Sequence, residues 1–306
     1  MKHKFDLQLH ASPDNLTASA NIDAETREVE FVTSFALNVN ALLEILGITR
    51  KVKKANGSTL FSKTASGTLE SGTVAEGDEI PLSQYAVTKT AYDTIAIEKY
   101  KKAVSLEAIA EYGYDSAVEM TDDEFATDLQ DGILDKMFTM LKTGTATSYE
   151  DTFQMALAMA VGNVKNKFKA LHRTATGTVA FVNTLDLYRY LGGAEVTVQT
   201  AFGLDYIKNF LGADVVFISN EITENTVIAT ALNNIVCYYV DPADSDFAKA
   251  GLMYTTDTED GLIGFHSQAD YDRAYSAEYA LLGMRLFAEY LDGIAIVTVG
   301  TDPAAA

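Results

Sequence analysis

An α+β fold follows from three features of the sequence. Long stretches carry apolar residues every three or four positions, several short apolar runs are unbroken, and one glycine-rich segment is too poor in apolar residues to build a core. Residues 1–30 are polar and alanine-rich, with Pro13 among Asp, Glu and Asn, and read as an extended arm that is poorly ordered on its own. Over 30–46, Phe31, Phe35, Val39, Leu42 and Leu46 step by 4, 4, 3 and 4, which lays one apolar stripe along a helix that Gly47 ends. The basic turn Arg50, Lys51, Lys53 and Lys54 follows. Ser58–Thr64 and Tyr85–Ile97 have strand character and flank the acidic, Gly/Ser-rich stretch ASGTLESGTVAEGDEIPLS, a pattern that predicts a long hairpin with a flexible tip.

Helical periodicity returns at Ser105 with a short helix over 105–112, stopped by Gly113. Thr121-Asp122-Asp123-Glu124 has the form of a capping box, in which the Thr hydroxyl caps a free amide and the Glu reaches back. Phe125, Leu129, Ile133, Met137 and Leu141 then step by four along one face, with Lys136 and Lys142 near the negative end of the dipole and Gly144 closing the element. A third helix is expected over about 149–171, opening at Ser148 and carrying Phe153, Leu157, Val161, Val164 and Phe168 inward. Between 177 and 262, strand and helix alternate. Val179–Val182, Val215–Ile218 and Ile235–Val240 read as strands covered on both faces, with amphipathic pieces near 184–191 and 203–211 between them. In the tail, 263–306, Tyr271, Tyr275 and Tyr279 suit helical spacing and strand alternation equally. AEYALLGMRLFAEYL has strong helix propensity, and Ile294–Val299 is a strand.

Composition excludes several classes. The 306 residues hold 23 Lys+Arg against 43 Asp+Glu, a formal charge of −20, which argues against a sequence-reading nucleic-acid binder and against docking on an anionic membrane. The single cysteine, Cys237, rules out an intramolecular disulfide and a Cys-based zinc site, and its place in Ile235–Val240 marks it as a small buried hydrophobe. No apolar run approaches the ~20 residues of a membrane helix, and MKHKFDLQLH lacks the apolar core of a secretion signal, so a soluble cytoplasmic protein is expected.

No enzyme constellation is evident. His3, His10, His172 and His266 have no metal-ligand spacing, and the phosphate-loop, dinucleotide and nucleophile-elbow motifs are missing. Asp241, Asp244 and Asp246, like Asp257, Glu259 and Asp260, read as solvated turns because neither set has calcium-loop spacing; no cofactor or metal is implied. Charge is instead segregated along the chain. Ten acids and no base lie between Lys102 and Lys136, five bases face 18 acids from residue 174 onward, and bases concentrate at 50–54, 99–102 and 165–173. Such blocks can pair within the chain, pair between copies, or simply face water.

The order of segments resembles the major capsid proteins of tailed bacteriophages, which share the Hong Kong 97 fold. The resemblance is carried by GTVAEGDEIPLSQYAVTKTAYDTIAIEKYKKAVSLEAIAEYGYDSAVEM. Upstream it continues in LLEILGITRKVKKANGSTLFSKT, and downstream in TVAFVNTLDLYRYL, LGADVVFISNEITENTVIATALNNIVCYYV and AEYLDGIAIVTV. It implies an N-arm (1–54), an extended E-loop (55–97), a P-domain with a spine helix (98–172), an α/β A-domain (173–262), and C-terminal strands returning to an antiparallel P-domain sheet (263–306). By this analogy the tail is strand. The arm is shorter than the removable scaffolding segment of many members, which implies a separate scaffold protein, beside a portal. Some members cross-link an E-loop lysine to a P-domain asparagine; Lys63 stands in the hairpin's first strand, but residues 270–306 contain no asparagine, so that covalent bond is not expected.

The implied function is structural. Copies would assemble in the host bacterial cytoplasm into pentamers and hexamers of an icosahedral shell, the virion capsid, which encloses double-stranded DNA without reading its sequence. On this reading the stripe Phe31, Phe35, Leu42 and Leu46 and the hairpin are covered by neighbouring subunits. Glu76, Asp78 and Glu79 at the loop tip dock on a neighbour's basic patch, either Arg50, Lys51, Lys53 and Lys54 or Lys165, Lys167, Lys169 and Arg173. The alternatives are a bacterial encapsulin of the same fold and, from another class, a soluble metal-dependent hydrolase.

Overall fold

The computed structural model describes residues 19–48, 50–192, 197–256 and 261–302. Residues 1–18 of the expected arm, with His3 and His10, and the acidic set Asp257, Glu259 and Asp260 lie outside the described residues. In chain order, helix α1 (Ser19–Ile45) leads through β1 (Lys51–Lys53) to the paired strands β2 (Thr59–Thr68) and β3 (Gln84–Thr94), and then to β4 (Glu98–Ser105). Helices α2 (Leu106–Tyr112) and α3 (Met120–Leu141) follow, joined by a π-helical turn over Asp115–Glu119. Next come β5 (Ala146–Glu150), α4 (Phe153–Ala170), β6 (Thr178–Val182), α5 (Thr184–Leu191), β7 (Gln199–Ala201), β8 (Leu204–Phe210), β9 (Ala213–Ile218) and β10 (Thr226–Ala231). The chain finishes with β11 (Ile235–Tyr239), α6 (Ser245–Lys249), β12 (Thr255–Thr256), β13 (Ile263–Asp270), β14 (Tyr275–Leu282), β15 (Met284–Ala288) and β16 (Ala295–Val299).

The strands form a seven-stranded sheet β5-β16-β10-β6-β9-β8-β7, a four-stranded sheet β12-β13-β14-β4, a three-stranded sheet β1-β11-β15, and the β2-β3 hairpin, which joins none of the others. Helix α4 packs on β10 and β16 through Leu157, Val161, Val164 and Phe168, while α1 and α3 share the larger core with β13 and β15. Phe31 of α1 stacks on Phe265 at 4.2 Å. Leu129, Ile133, Met137 and Leu141 of α3 are buried, as the four-residue period requires.

Several expectations are corrected. The arm is helical from Ser19 rather than extended up to residue 30, and its stripe is covered by the chain's own core: Phe31, Phe35, Val39, Leu42 and Leu46 are all buried. Packing against α3 and β13 absorbs the face that the local pattern left unpartnered. The capping box at Thr121 does not form, because the helix starts earlier. The Thr121 hydroxyl donates instead to the Ala117 and Val118 carbonyls, each at 2.9 Å, and Asp122 is taken by Arg27 and Lys102. Residues 148–150, expected as the opening of the third helix, belong instead to the strand Ala146–Glu150, parallel to β16, and α4 is capped by Thr152. Residues 204–210 are a strand, flanked by the positive-φ pairs Phe202-Gly203 and Leu211-Gly212, which turn the chain back on itself twice.

The tail is strand, as the resemblance implied. β14 pairs with β13 and β4 along all its residues, so two neighbours satisfy a backbone whose side chains favour helix. The last strand does not return to that sheet. β16 lies in the seven-stranded sheet between β5 and β10, and the expected boundary at 172/173 falls between α4 and β6, which pack together.

One buried polar cluster joins the parts. Arg27 of α1 donates to both Asp122 oxygens, at 2.6 and 2.8 Å, and to Glu278 Oε1 at 2.6 Å. Lys102 of β4 reaches Asp122 at 2.5 Å and lies 3.2 Å from Glu278 Oε2, an ion-pair distance without hydrogen-bond alignment. Two cations and two anions thus close on themselves with Glu278 fully buried. Burial works against the Arg27 charge, but the hydrogen bonds it donates to Asp122 and Glu278 outweigh it and hold its pKa above the ordinary value. Beside it, Glu28 accepts from the Ser267 amide and hydroxyl and from Thr255, closing the open edge of β13.

Arg27→Met leaves two buried carboxylates on one lysine and is expected to cost about 3 kcal/mol of unfolding free energy. Urea denaturation reads this as a lower midpoint; an unchanged midpoint would show that α1 is held by packing alone.

Candidate functional site

The β2-β3 hairpin is the part of the described chain that its own fold covers least. Its base is anchored. Leu60 and Ile95 are buried, the Ser62 hydroxyl donates to the Glu289 carbonyl at 2.8 Å, and the Tyr92 ring lies 4.9 Å from that of Phe287. A register shift between Leu60 and Phe61 marks where the strands leave the body. Past this point β3 is exposed from Gln84 to Ala91, and Leu69, Ile80 and Leu82 are 77%, 75% and 92% exposed. Tyr85 lies across Gly67, where an added Cβ would meet the ring at 2.2 Å, so the glycine lets the aromatic ring cross the ribbon. A two-stranded ribbon is marginal alone, and an apolar tip on a monomer marks a contact surface. Glu70, Glu76, Asp78 and Glu79 beside these residues are exposed and form no ion pair among the described residues.

A second polar cluster lies under the hairpin base. Glu98 of β4 accepts from Lys136 of α3, from the Tyr100 hydroxyl at 2.6 Å and from Arg285 of β15 at 3.4 Å, and Arg285 also lies 3.8 Å from Asp93 of β3. Beside it is a cavity of about 260 Å³ lined by Leu60, Tyr92, Met140 and Phe287, between the hairpin base and α3. Burial alone would raise the Glu98 pKa, but the hydrogen bonds from Lys136 and Tyr100 overcome it and hold the carboxyl below its ordinary range. The Tyr100 hydroxyl, half-buried and beside that carboxylate, is pushed up to about 12.

The two basic patches expected as docking sites differ. In the first, Arg50 pairs with Glu289 at 3.2 Å, Lys51 donates to Asn40 at 2.9 Å, Lys53 pairs with Asp241 at 2.7 Å, and Lys54 sits 5.6 Å from the centre of the Tyr238 ring. The hydrogen bond to Asp241 raises the Lys53 pKa, and the same bond lowers that of Asp241 against its burial. In the second, Lys165, Lys167 and Lys169 are exposed on α4 without an ion pair among the described residues, while Arg173 lies over the Tyr290 ring at 4.9 Å. The sequence reading missed the apolar tip residues Leu69, Ile80 and Leu82 and the exposed Met155 and Met159 of α4. The available signal was apolar side chains inside a Gly/Ser/acid loop, where no core can receive them.

Cys237 is buried, and the described residues contain no group of three or more His, Cys, Asp or Glu able to hold a metal ion. No described helix is long and apolar enough to cross a membrane.

No family model matches this sequence, and no curated protein matches it. Solved structures do. The capsid asymmetric unit of cyanophage A-1(L) aligns over 86% of this chain and 93% of its own, at 12% identity and a TM-score of 0.52. The mature capsid of bacteriophage PhiM1 aligns over 83% and 86%, at 9% identity and 0.51. The holo-SrpI encapsulin complex of Synechococcus elongatus aligns over 81% and 84%, at 10% identity and 0.46, a likeness too weak to carry an argument. The chain therefore has the α+β, Hong Kong 97-type fold of the phage capsid proteins it matches.

The cluster at the hairpin base predicts two limbs of pH dependence. Glu98 titrates lower folded than unfolded, so its contribution is present above the ordinary carboxylate range and is lost as pH falls through the lowered value. Tyr100 titrates higher folded, so its contribution is present below 10.0 and is lost as pH rises toward about 12. Unfolding midpoints against pH should fall less steeply in acid for Glu98→Gln and less steeply in alkali for Tyr100→Phe; slopes matching wild type would remove the cluster from the stability of this region.

Proposed function

We propose that this chain is the major capsid protein of a tailed bacteriophage, a non-enzymatic shell subunit. Copies of it assemble into pentamers and hexamers of an icosahedral head that encloses double-stranded DNA. The observation that carries the reading is the projecting β2-β3 hairpin, which exposes Leu69, Ile80 and Leu82 on a ribbon that pairs with no other strand among the described residues. The hairpin projects from the body, so a surface that covers it on the next copy is a different patch; repetition of such a contact closes rings and shells. The charge of −20 supports enclosure of DNA without adhesion, since every acid from Glu107 to Asp135 except Asp122 is solvent-exposed. A separate scaffold protein and a portal complete the assembly, which takes place in the host cytoplasm, and the virion is the final location.

Electron microscopy of the purified protein is expected to show closed particles or capsomer rings. A small oligomer on size-exclusion chromatography, with metal-dependent hydrolysis, would overturn the reading in favour of an enzyme. Terminase and portal genes are expected beside this one; a cargo-enzyme gene in their place would make the shell an encapsulin. Replacing the tip residues together (Leu69→Ser, Ile80→Ser, Leu82→Ser) should reduce particle yield at least tenfold while leaving the unfolding midpoint of the free subunit unchanged. Normal particles from that variant would remove the hairpin tip from assembly.

A further inference from the structure

On the reading of this chain as a shell subunit, we infer that the acidic, apolar hairpin tip of one copy docks along the outer face of α4 on a neighbouring copy. Helix α4 turns Leu157, Val161, Val164 and Phe168 inward and leaves a two-part face outside. Its N-terminal half presents Met155 and Met159, 49% and 41% exposed and one turn apart. Its C-terminal half presents Lys165, Lys167 and Lys169, all exposed. Gly162 lies between the two halves, and an added Cβ there would meet nothing within 4 Å, so an extended segment can approach the helix closely at its waist.

The lysines stand apart from the bases that are neutralised within the chain. Residues 152–185 contain no acid, and none of the three lysines has an ion pair among the described residues, whereas Arg27, Arg50, Lys53, Lys102, Lys136 and Arg285 all do. In a chain of charge −20 this is an unneutralised cationic surface. The tip carries the complementary pattern in the opposite chain order, so it would run antiparallel to α4. Glu76, Asp78 and Glu79 are followed by Ile80 and Leu82, all exposed. Laid out as a strand, which opens the turn that the Asp78 amide closes on the Ala75 carbonyl at 3.1 Å, Glu76 to Leu82 spans roughly 20 Å. Along α4, Met155 to Lys169 spans roughly 21 Å. The acids can therefore lie on the lysines while the apolar pair covers the methionines. Strand β2, at about 3.3 Å per residue, carries the tip roughly 33 Å from its base, enough to reach across to a second copy.

The rival cationic surface is the open face of β4 and β14. There Lys101 already lies 5.1 and 5.2 Å from the centres of the Tyr275 and Tyr279 rings and donates to the Tyr275 hydroxyl, with Asp270 and Asp272 at the adjoining turn.

The test is a charge swap read by particle yield, with circular dichroism and unfolding midpoints confirming that each subunit folds. Lys165→Glu/Lys169→Glu should lower particle yield at least tenfold, as should Glu76→Lys/Glu79→Lys. Combining all four substitutions should restore yield to within about threefold of wild type, which a merely structural role of either patch would not do. Full yield from either double variant, or no rescue on combination, overturns the proposal, as does rescue of the tip reversal by Lys99→Glu/Lys101→Glu instead. Loss of binding to short duplex DNA without loss of particles would assign the lysines to a polyanion and also overturn it. Failure of the wild-type chain to assemble at all would sink the shell reading itself, a different and separately visible result.

Discussion

Four charges from four distant elements meet in the interior, and the architecture around them depends on that meeting. Arg27, Lys102, Asp122 and Glu278 come from α1, β4, α3 and β14, and the Arg27–Glu278 hydrogen bond spans 251 positions in the chain. Buried ion pairs contribute little net stability, because desolvation offsets most of the attraction, but removing one partner is costly. Their effect here is to specify register. A one-residue slip of β14 would turn Glu278 to solvent and drive Tyr279 into the core, so the cluster selects one pairing of β13, β14 and β4. It also fixes where α1 lies, and α1 in turn closes the open edge of β13 through Glu28.

With the body so closed, what remains unsatisfied is confined to the periphery. The apolar stripe of α1 is spent inside the chain, and the first basic patch is paired within it. Among the surfaces left exposed are the β2-β3 ribbon and the outer face of α4, one acidic and apolar, the other basic and apolar. The base of the ribbon is seated both on the main core, through Leu60, Ile95 and Tyr92, and on the Glu98, Lys136 and Arg285 cluster beside a small cavity. Such a seat holds the direction of the ribbon while leaving its far end to be ordered by contact.

Much of this was legible locally. The period of Leu129, Ile133, Met137 and Leu141 marks a buried helix face, the runs at 179–182, 215–218 and 235–239 mark strands covered on both sides, and the hairpin is visible as two strand-like stretches around a loop without a core. Ser105 and Gly113 bound α2 as their chemistry predicts. The failures come from what lies beyond the local window. Ala146–Glu150 is a strand because β16, far along the chain, pairs with it, and Thr121 is no cap because the helix already runs through it from the π-helical turn before Met120. In the site, the acids of the tip were visible as charge, while the exposure of its leucines and isoleucine was not, since exposure is a property of everything that fails to cover them.

By itself, the sequence determined the class of fold, the periodic faces of α1, α3 and α4, and the segregation of charge that makes a phosphate-reading surface untenable for a chain of −20. Tertiary structure alone decided which apolar face is spent at home and which is left for a partner. The α1 stripe and the hairpin tip look equally unpartnered in one dimension, and only the packing of α1 against α3 and β13 separates them. It also decided that the tail is strand, because helix propensity is worth tenths of a kilocalorie per residue. Two flanking strands and a buried Glu278 held by Arg27 outweigh it.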